Sequence, residues 1–133
     1  MIPQQASLCA LFSVFELARE PGRQVSAAEI ADKYGLSINH LAKVLRELTR
    51  ARIIKSVRGA GGGYTFVANS RHLTLYDIIG HFEEISSDPK EDVNPSDSTD
   101  AGRALNRVLS EIDGITVSTL KSISVATFLK LSC

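Results

Sequence analysis

Ser56-Val57-Arg58-Gly59-Ala60-Gly61-Gly62-Gly63-Tyr64-Thr65-Phe66-Val67 is the stretch whose reading decides the fold. Ile53 to Arg58 reads as a strand and Tyr64 to Val67 as its return, because β-branched and aromatic residues flank a glycine turn. A plain hairpin turn needs one or two glycines, whereas this one has glycine at four of the five positions 59–63. Without side chains, such a turn approaches a sugar-phosphate backbone closely, its amides donate to phosphate, and Arg58 and Lys55 add charge. A nucleotide-binding loop is the competing reading. It fails because the run lacks a Gly-Lys-Ser/Thr ending and leads into a strand rather than a helix.

Working backward, Ser37 is the natural N-cap of a helix in which Leu41, Val44, Leu45 and Leu48 form the apolar stripe. Its opposite face carries Asn39, Lys43, Arg46 and Arg50, spaced by four, three and four residues. Amide and basic side chains on a short helix after a tight turn suit a major-groove reader; a solvated face is the plainer alternative. The hairpin that follows tips the balance, since helix, strand, glycine turn and strand together make a wing. Gly35 supplies the turn before this helix, and Ser26-Ala27-Ala28-Glu29 reads as the capping box of a shorter helix running to about Tyr34.

Further out, Leu8, Leu11, Phe12, Phe15 and Ala18 recur at helical spacing and predict a first helix, all core, ended by Pro21-Gly22. Thr74 opens a fourth helix, with Asp77 three residues on and Leu75, Ile78, Ile79 and Phe82 on one face. Residues 86–99 hold two prolines, small polar groups and several acids, and read as a loop. A helix is expected from Asp100 to Asp113, with Ala101, Ala104, Leu105, Val108, Leu109 and Ile112 apolar, stopped by Gly114. Thr116 then caps a further short helix. A helix beyond a completed domain must bury its apolar stripe, either on its own domain or on a second copy of the chain, and the second fits paired reading of a palindromic site. The expected architecture is mainly α with a small β-hairpin wing. A winged helix-turn-helix domain occupies residues 1–85, an acidic loop 86–99, and a dimerisation helix with a C-terminal tail 100–133.

Charge is asymmetric although the net charge is zero. Lys33 to Arg71 carries eight basic residues against one acid, Glu47, and Glu83 to Asp100 carries seven acids against one base, Lys90. A neutral chain with that distribution still offers phosphate a positive face. The candidate contact set for double-stranded DNA is Ser37, Asn39, His40, Lys43, Arg46 and Arg50 on the helix, with Lys55, Arg58, Gly59, Gly61, Gly62, Gly63 and Tyr64 on the hairpin.

Catalysis and metal binding find no support. No two of His40, His72 and His81 stand three or four residues apart, and the adjacent pair Glu83-Glu84 points in different directions on a helix. Cys9 and Cys133 lack the spacing of a zinc or iron–sulfur site. Cys9 is expected to be buried as a small hydrophobe. No catalytic residue, metal ligand or cofactor is assigned. No apolar run reaches membrane-spanning length and no secretory leader is evident, so the expected location is the cytoplasm.

Taken together, Ser26 to Ala31, Gly35 to Leu45, Ser56 to Tyr64, Leu73 to Ile79 and Ile112 to Leu120 resemble the IscR/NsrR/RirA-type family of bacterial winged-helix repressors. The likeness covers residues 6 to about 120. It implies a homodimer joined by the long C-terminal helix, and a wing whose Arg58 and glycines approach the minor groove. It also implies a cluster held by three cysteines between the fourth and fifth helices, with an acidic ligand near the start of the first. Here residues 86–99 contain no cysteine and the comparable early position is Leu8, so the family's usual cluster is not expected. The resulting expectation is a dimeric, cluster-independent DNA-binding regulator, with a small-molecule effector left open. The alternatives are a winged-helix module for protein–protein contact and a sensor with atypical metal or redox ligands.

Overall fold

The computed structural model describes residues 3–59, 61–85 and 98–132. Ala60, Cys133 and the acidic loop as far as residue 97 lie outside the described residues. The chain order is α1 (Gln5–Ala18), α2 (Ala27–Tyr34), α3 (Ile38–Arg50), β1 (Ile54–Val57), β2 (Gly63–Phe66), α4 (Leu75–Ile79), α5 (Asp100–Ser122) and α6 (Val125–Leu131). The fold is mainly α with one small β-hairpin, as the residues predict.

Local chemistry sets most boundaries. Ser26 accepts from the Glu29 amide and caps α2, and Gly35 closes it in the left-handed conformation at φ 64°. The reciprocal half of the expected capping box is replaced by an ion pair of Glu29 with Arg23 at 3.6 Å. At α4 both halves form: Thr74 accepts from the Asp77 amide, and Asp77 accepts from that of Thr74.

One hydrophobic core joins α1, α2, α3, the hairpin, Ile78 of α4 and Val125 of α6. Its innermost α1 residues are Cys9, Ala10, Val14 and Leu17, whereas of the expected set Ala18 is buried and Leu8, Leu11, Phe12 and Phe15 are only partly covered. The inner face is thus rotated from the expected one. Small residues mark the side of a helix against which neighbours come closest, and Ser13 is tolerated there because its hydroxyl donates to the Cys9 carbonyl at 2.7 Å.

Two backbone pairings between distant segments tie the elements together. Val25 and Tyr64 exchange hydrogen bonds of 3.0 and 2.9 Å, adding a one-residue antiparallel rung beside β2 of the two-stranded wing. Near the C-terminus, Leu75 donates to the Ile123 carbonyl at 2.9 Å and Val125 donates to the Leu73 carbonyl at 2.8 Å.

This second pairing corrects the reading of the C-terminal region. Gly114 does not stop α5, which runs through it to Ser122. An interior glycine costs a helix only about 1 kcal/mol relative to alanine. Thr116 is no cap, since its hydroxyl donates back to the Ile112 carbonyl at 3.0 Å. The helix ends at Ile123, whose extended backbone meets the segment at Leu73 to Leu75. Ser124 then caps α6, which folds back so that Phe128 meets Phe15 edge-on at 5.4 Å.

The wing glycines divide by the reason each is needed. Gly59 and Gly61 have φ of 117° and 75° with open space around them. At Gly63 the backbone is ordinary, but a Cβ would lie 2.5 Å from the Val25 carbonyl oxygen. Backbone atoms cannot rotate aside, so Gly63→Ala is expected to cost about 2–3 kcal/mol of overpacking strain, against about 1–2 kcal/mol for Gly61→Ala, where only the left-handed φ opposes a Cβ. Urea denaturation of the two variants, read by helical circular dichroism, checks that order.

Candidate nucleic-acid interface

The contact set sits on two consecutive elements, α3 and the β1–β2 hairpin. Burial of Leu41, Val44, Leu45 and Leu48 fixes the rotation of α3. With 3.6 residues per turn, Asn39, Lys43, Arg46 and Arg50 must then face outward, and all four are exposed. Arg50 makes only a loose ion pair with Glu47 at 3.5 Å, leaving most of its guanidinium surface available.

Ser37 is exposed at the helix entrance, with its hydroxyl accepting from the His40 amide at 3.4 Å. It therefore aims the helix as well as lining the surface. His40 is partly buried, and its Nε2 is enclosed with no hydrogen-bond partner. It stands at the edge of the exposed face rather than on it.

The hairpin pairs Ile54 with Phe66, Lys55 with Thr65, Ser56 with Tyr64 and Val57 with Gly63. Ile54 and Phe66 enter the core, while Lys55 and Arg58 are exposed. Gly59 accepts from the Gly62 amide at 2.9 Å and closes the turn, with Gly59 and Gly61 exposed at its tip. Gly62, Gly63 and Tyr64 are partly covered, and Gly63 and Tyr64 serve to dock the wing on Val25. Arg52, one of the eight basic residues, stands outside the candidate contact set. It is exposed between α3 and β1 with a left-handed φ of 62°, a conformation uncommon outside glycine that turns the chain from helix to wing.

A recognition-type helix followed at once by a basic glycine hairpin on this helical frame agrees with what comparison with known proteins finds. The sequence pattern of Rrf2, described as an iron-dependent transcriptional regulator, matches residues 4–130. The chain belongs to the Rrf2 family. It is 52% identical over 128 residues to BadM, assigned as an HTH-type transcriptional regulator in Rhodopseudomonas palustris, covering 96% of this chain and 81% of that protein. Among solved structures, CymR (YrzC), the global cysteine regulator of B. subtilis, superposes with a TM-score of 0.80 at 25% identity over 98% of each chain. IscR of T. potens gives 0.63 at 27% identity, covering all of this chain and 89% of that one. The matching family is one of transcriptional regulators, and this Rrf2 chain is a regulator rather than an enzyme.

The iron dependence in the family's description does not fit the residues present. The Rrf2 chain has two cysteines in all, and among the described residues no group of three or more His, Cys, Asp or Glu side chains could hold a metal. Cys9 is fully buried. Burial pushes its thiol above the usual range, offset in part by a hydrogen bond with Gln5, so it stays protonated and a poor nucleophile at neutral pH. Glu83 is engaged as well: it accepts from the Gln4 amide at 2.9 Å and from the Ser7 hydroxyl at 2.5 Å, tying the start of α1 to the turn that follows α4. Nor is any described helix long and apolar enough to cross a membrane.

A nearly buried carboxylate joins α1 to α2, a contact the sequence did not disclose. Glu16 accepts from Lys33 at 2.7 and 2.8 Å and from Arg19 at 3.1 Å. Burial alone would raise its pKa, but the bonds and charges of Lys33 and Arg19 outweigh it, and the carboxyl is held below its ordinary value of 4.5. A depressed folded-state pKa contributes stability above the unfolded value that is lost as pH falls through the folded one. Wild-type stability should therefore decline as pH drops below about 4.5, and Glu16→Gln should remove that component of the slope. Thermal denaturation of both proteins from neutral to acid pH makes the comparison.

Proposed function

We propose that this chain is a dimeric, sequence-specific DNA-binding transcription regulator that represses by occupancy and works without an iron–sulfur cluster. The observation carrying this reading is the exposed stripe Asn39, Lys43, Arg46 and Arg50 on a helix whose other face is locked into the core, with Lys55 and Arg58 following on the wing. In the proposed complex α3 enters the major groove, where Asn39 and Arg46 meet base edges, and the hairpin reaches across the backbone. There Arg58 and the amides of Gly59 and Gly61 meet phosphate.

Support for a dimer comes from α5. Leu105, Val108, Leu109, Ile112 and Ile115 are all about half exposed or more and recur at three- and four-residue intervals. A stripe of that length is costly to leave in water, and a second copy covers it with the two-fold symmetry a palindromic site requires. Bound across two successive major grooves, the dimer blocks an overlapping promoter. Such regulation takes place in the bacterial cytoplasm, with a small-molecule effector as the candidate signal.

Two measurements test this reading. In fluorescence anisotropy, Arg46→Ala should weaken binding to a selected site by about tenfold or more and to random duplex far less, as expected for loss of a base contact worth about 1–3 kcal/mol. Arg58→Ala should weaken both alike; equal losses on both duplexes from both variants contradict the division of labour. In analytical ultracentrifugation, Ile112→Asp should give monomers that keep the native circular dichroism and lose affinity for a palindromic duplex. A dimer unaffected by this change removes α5 as the interface.

A further inference from the structure

The recognition helix carries an exposed apolar feature that the basic stripe does not explain. Ile38, the first residue of α3, is 51% exposed, although every other large aliphatic side chain of that helix is buried. Ala42, Arg46 and Arg50 follow it at four-residue steps, and all three are exposed. Residues four apart on a helix form a continuous ridge. This ridge is apolar over its N-terminal half, at Ile38 and Ala42, and cationic over its C-terminal half, at Arg46 and Arg50. Asn39 and Lys43 run alongside it.

We infer that Ile38, with Ala42 beside it, reads the 5-methyl group of a thymine in each half-site of the operator. This rests on the proposed DNA-binding reading and names what part of that surface recognises. The N-terminal residues of a recognition helix reach base edges, and the thymine methyl is the one apolar group a base pair presents on the major-groove floor. Two aliphatic side chains one turn apart cover an area matched to a methyl group. They are flanked by cations, which complement phosphate and disfavour a larger apolar partner. The Ser37 cap fixes the start of the helix and so the position of Ile38.

The test uses the full-length protein and a high-affinity duplex selected by it from a random pool. Each thymine is replaced in turn by deoxyuridine, which removes the methyl and leaves Watson–Crick pairing intact. One position per half-site should weaken wild-type binding about fourfold, the loss expected for one buried methyl group. The same replacement should leave Ile38→Ala unaffected, while both proteins bind random duplex equally. Ile38 is exposed, so the variant should keep wild-type stability. If no deoxyuridine position separates the two proteins, or the selected site has no thymine where they differ, the inference is overturned. A wild-type protein that selects no sequence at all removes the reading beneath it instead.

Discussion

The seating of α3 on α1 is the constraint on which the rest of the molecule depends. Leu41, Leu45 and Leu48 are wholly buried and Val44 nearly so, and they share one core with Cys9, Ala10, Val14 and Leu17 of α1. Each fully buried aliphatic side chain contributes on the order of 1.5–3 kcal/mol, so any other rotation of α3 is strongly disfavoured. A cationic ridge thus faces outward because leucines face inward. The same packing sets the exit of the helix, where the left-handed Arg52 directs the chain into β1.

The surrounding elements keep that arrangement rigid. The wing is not a free hairpin: the Val25–Tyr64 rung binds it to the entrance of α2, and the absence of a side chain at Gly63 allows the approach. Glu16, held by Lys33 and Arg19, fastens α2 to α1. The pairing of Ile123 and Val125 with Leu75 and Leu73 fixes the junction of α5 and α6 at the entrance of α4. The helix with the unpartnered apolar stripe is thereby anchored to the domain with the cationic ridge. A dimer formed through α5 would set the spacing between two copies of α3.

Much of this was legible because it is written in short-range chemistry. Ser26, Ser37 and Thr74 cap helices where expected, the glycines mark the hairpin turn, and the alternation of leucines with amide and basic residues on α3 gives both its faces. Contacts between distant segments were not legible. The Val25–Tyr64 rung and the pairing at Leu73 to Leu75 each join single residues far apart in sequence and leave no periodic signal. Gly114 misled because a lone glycine in a long, well-formed helix is a modest penalty, outweighed by the residues around it. In α1 apolar residues lie on several sides, so periodicity gave a helix but not its inner face; the small residues Cys9, Ala10 and Ser13 were the better guide. Ile38 stands three residues before Leu41, in step with the buried stripe, so its exposure at the first residue of α3 shows only in the fold.

Methylation interference at guanine N7 combined with hydroxyl-radical footprinting on a selected duplex tests the central claim most directly. The account predicts major-groove interference in two symmetric half-sites about one helical turn apart, with backbone protection beside each where the wing lies. A single asymmetric half-site, or protection without major-groove interference, would contradict it.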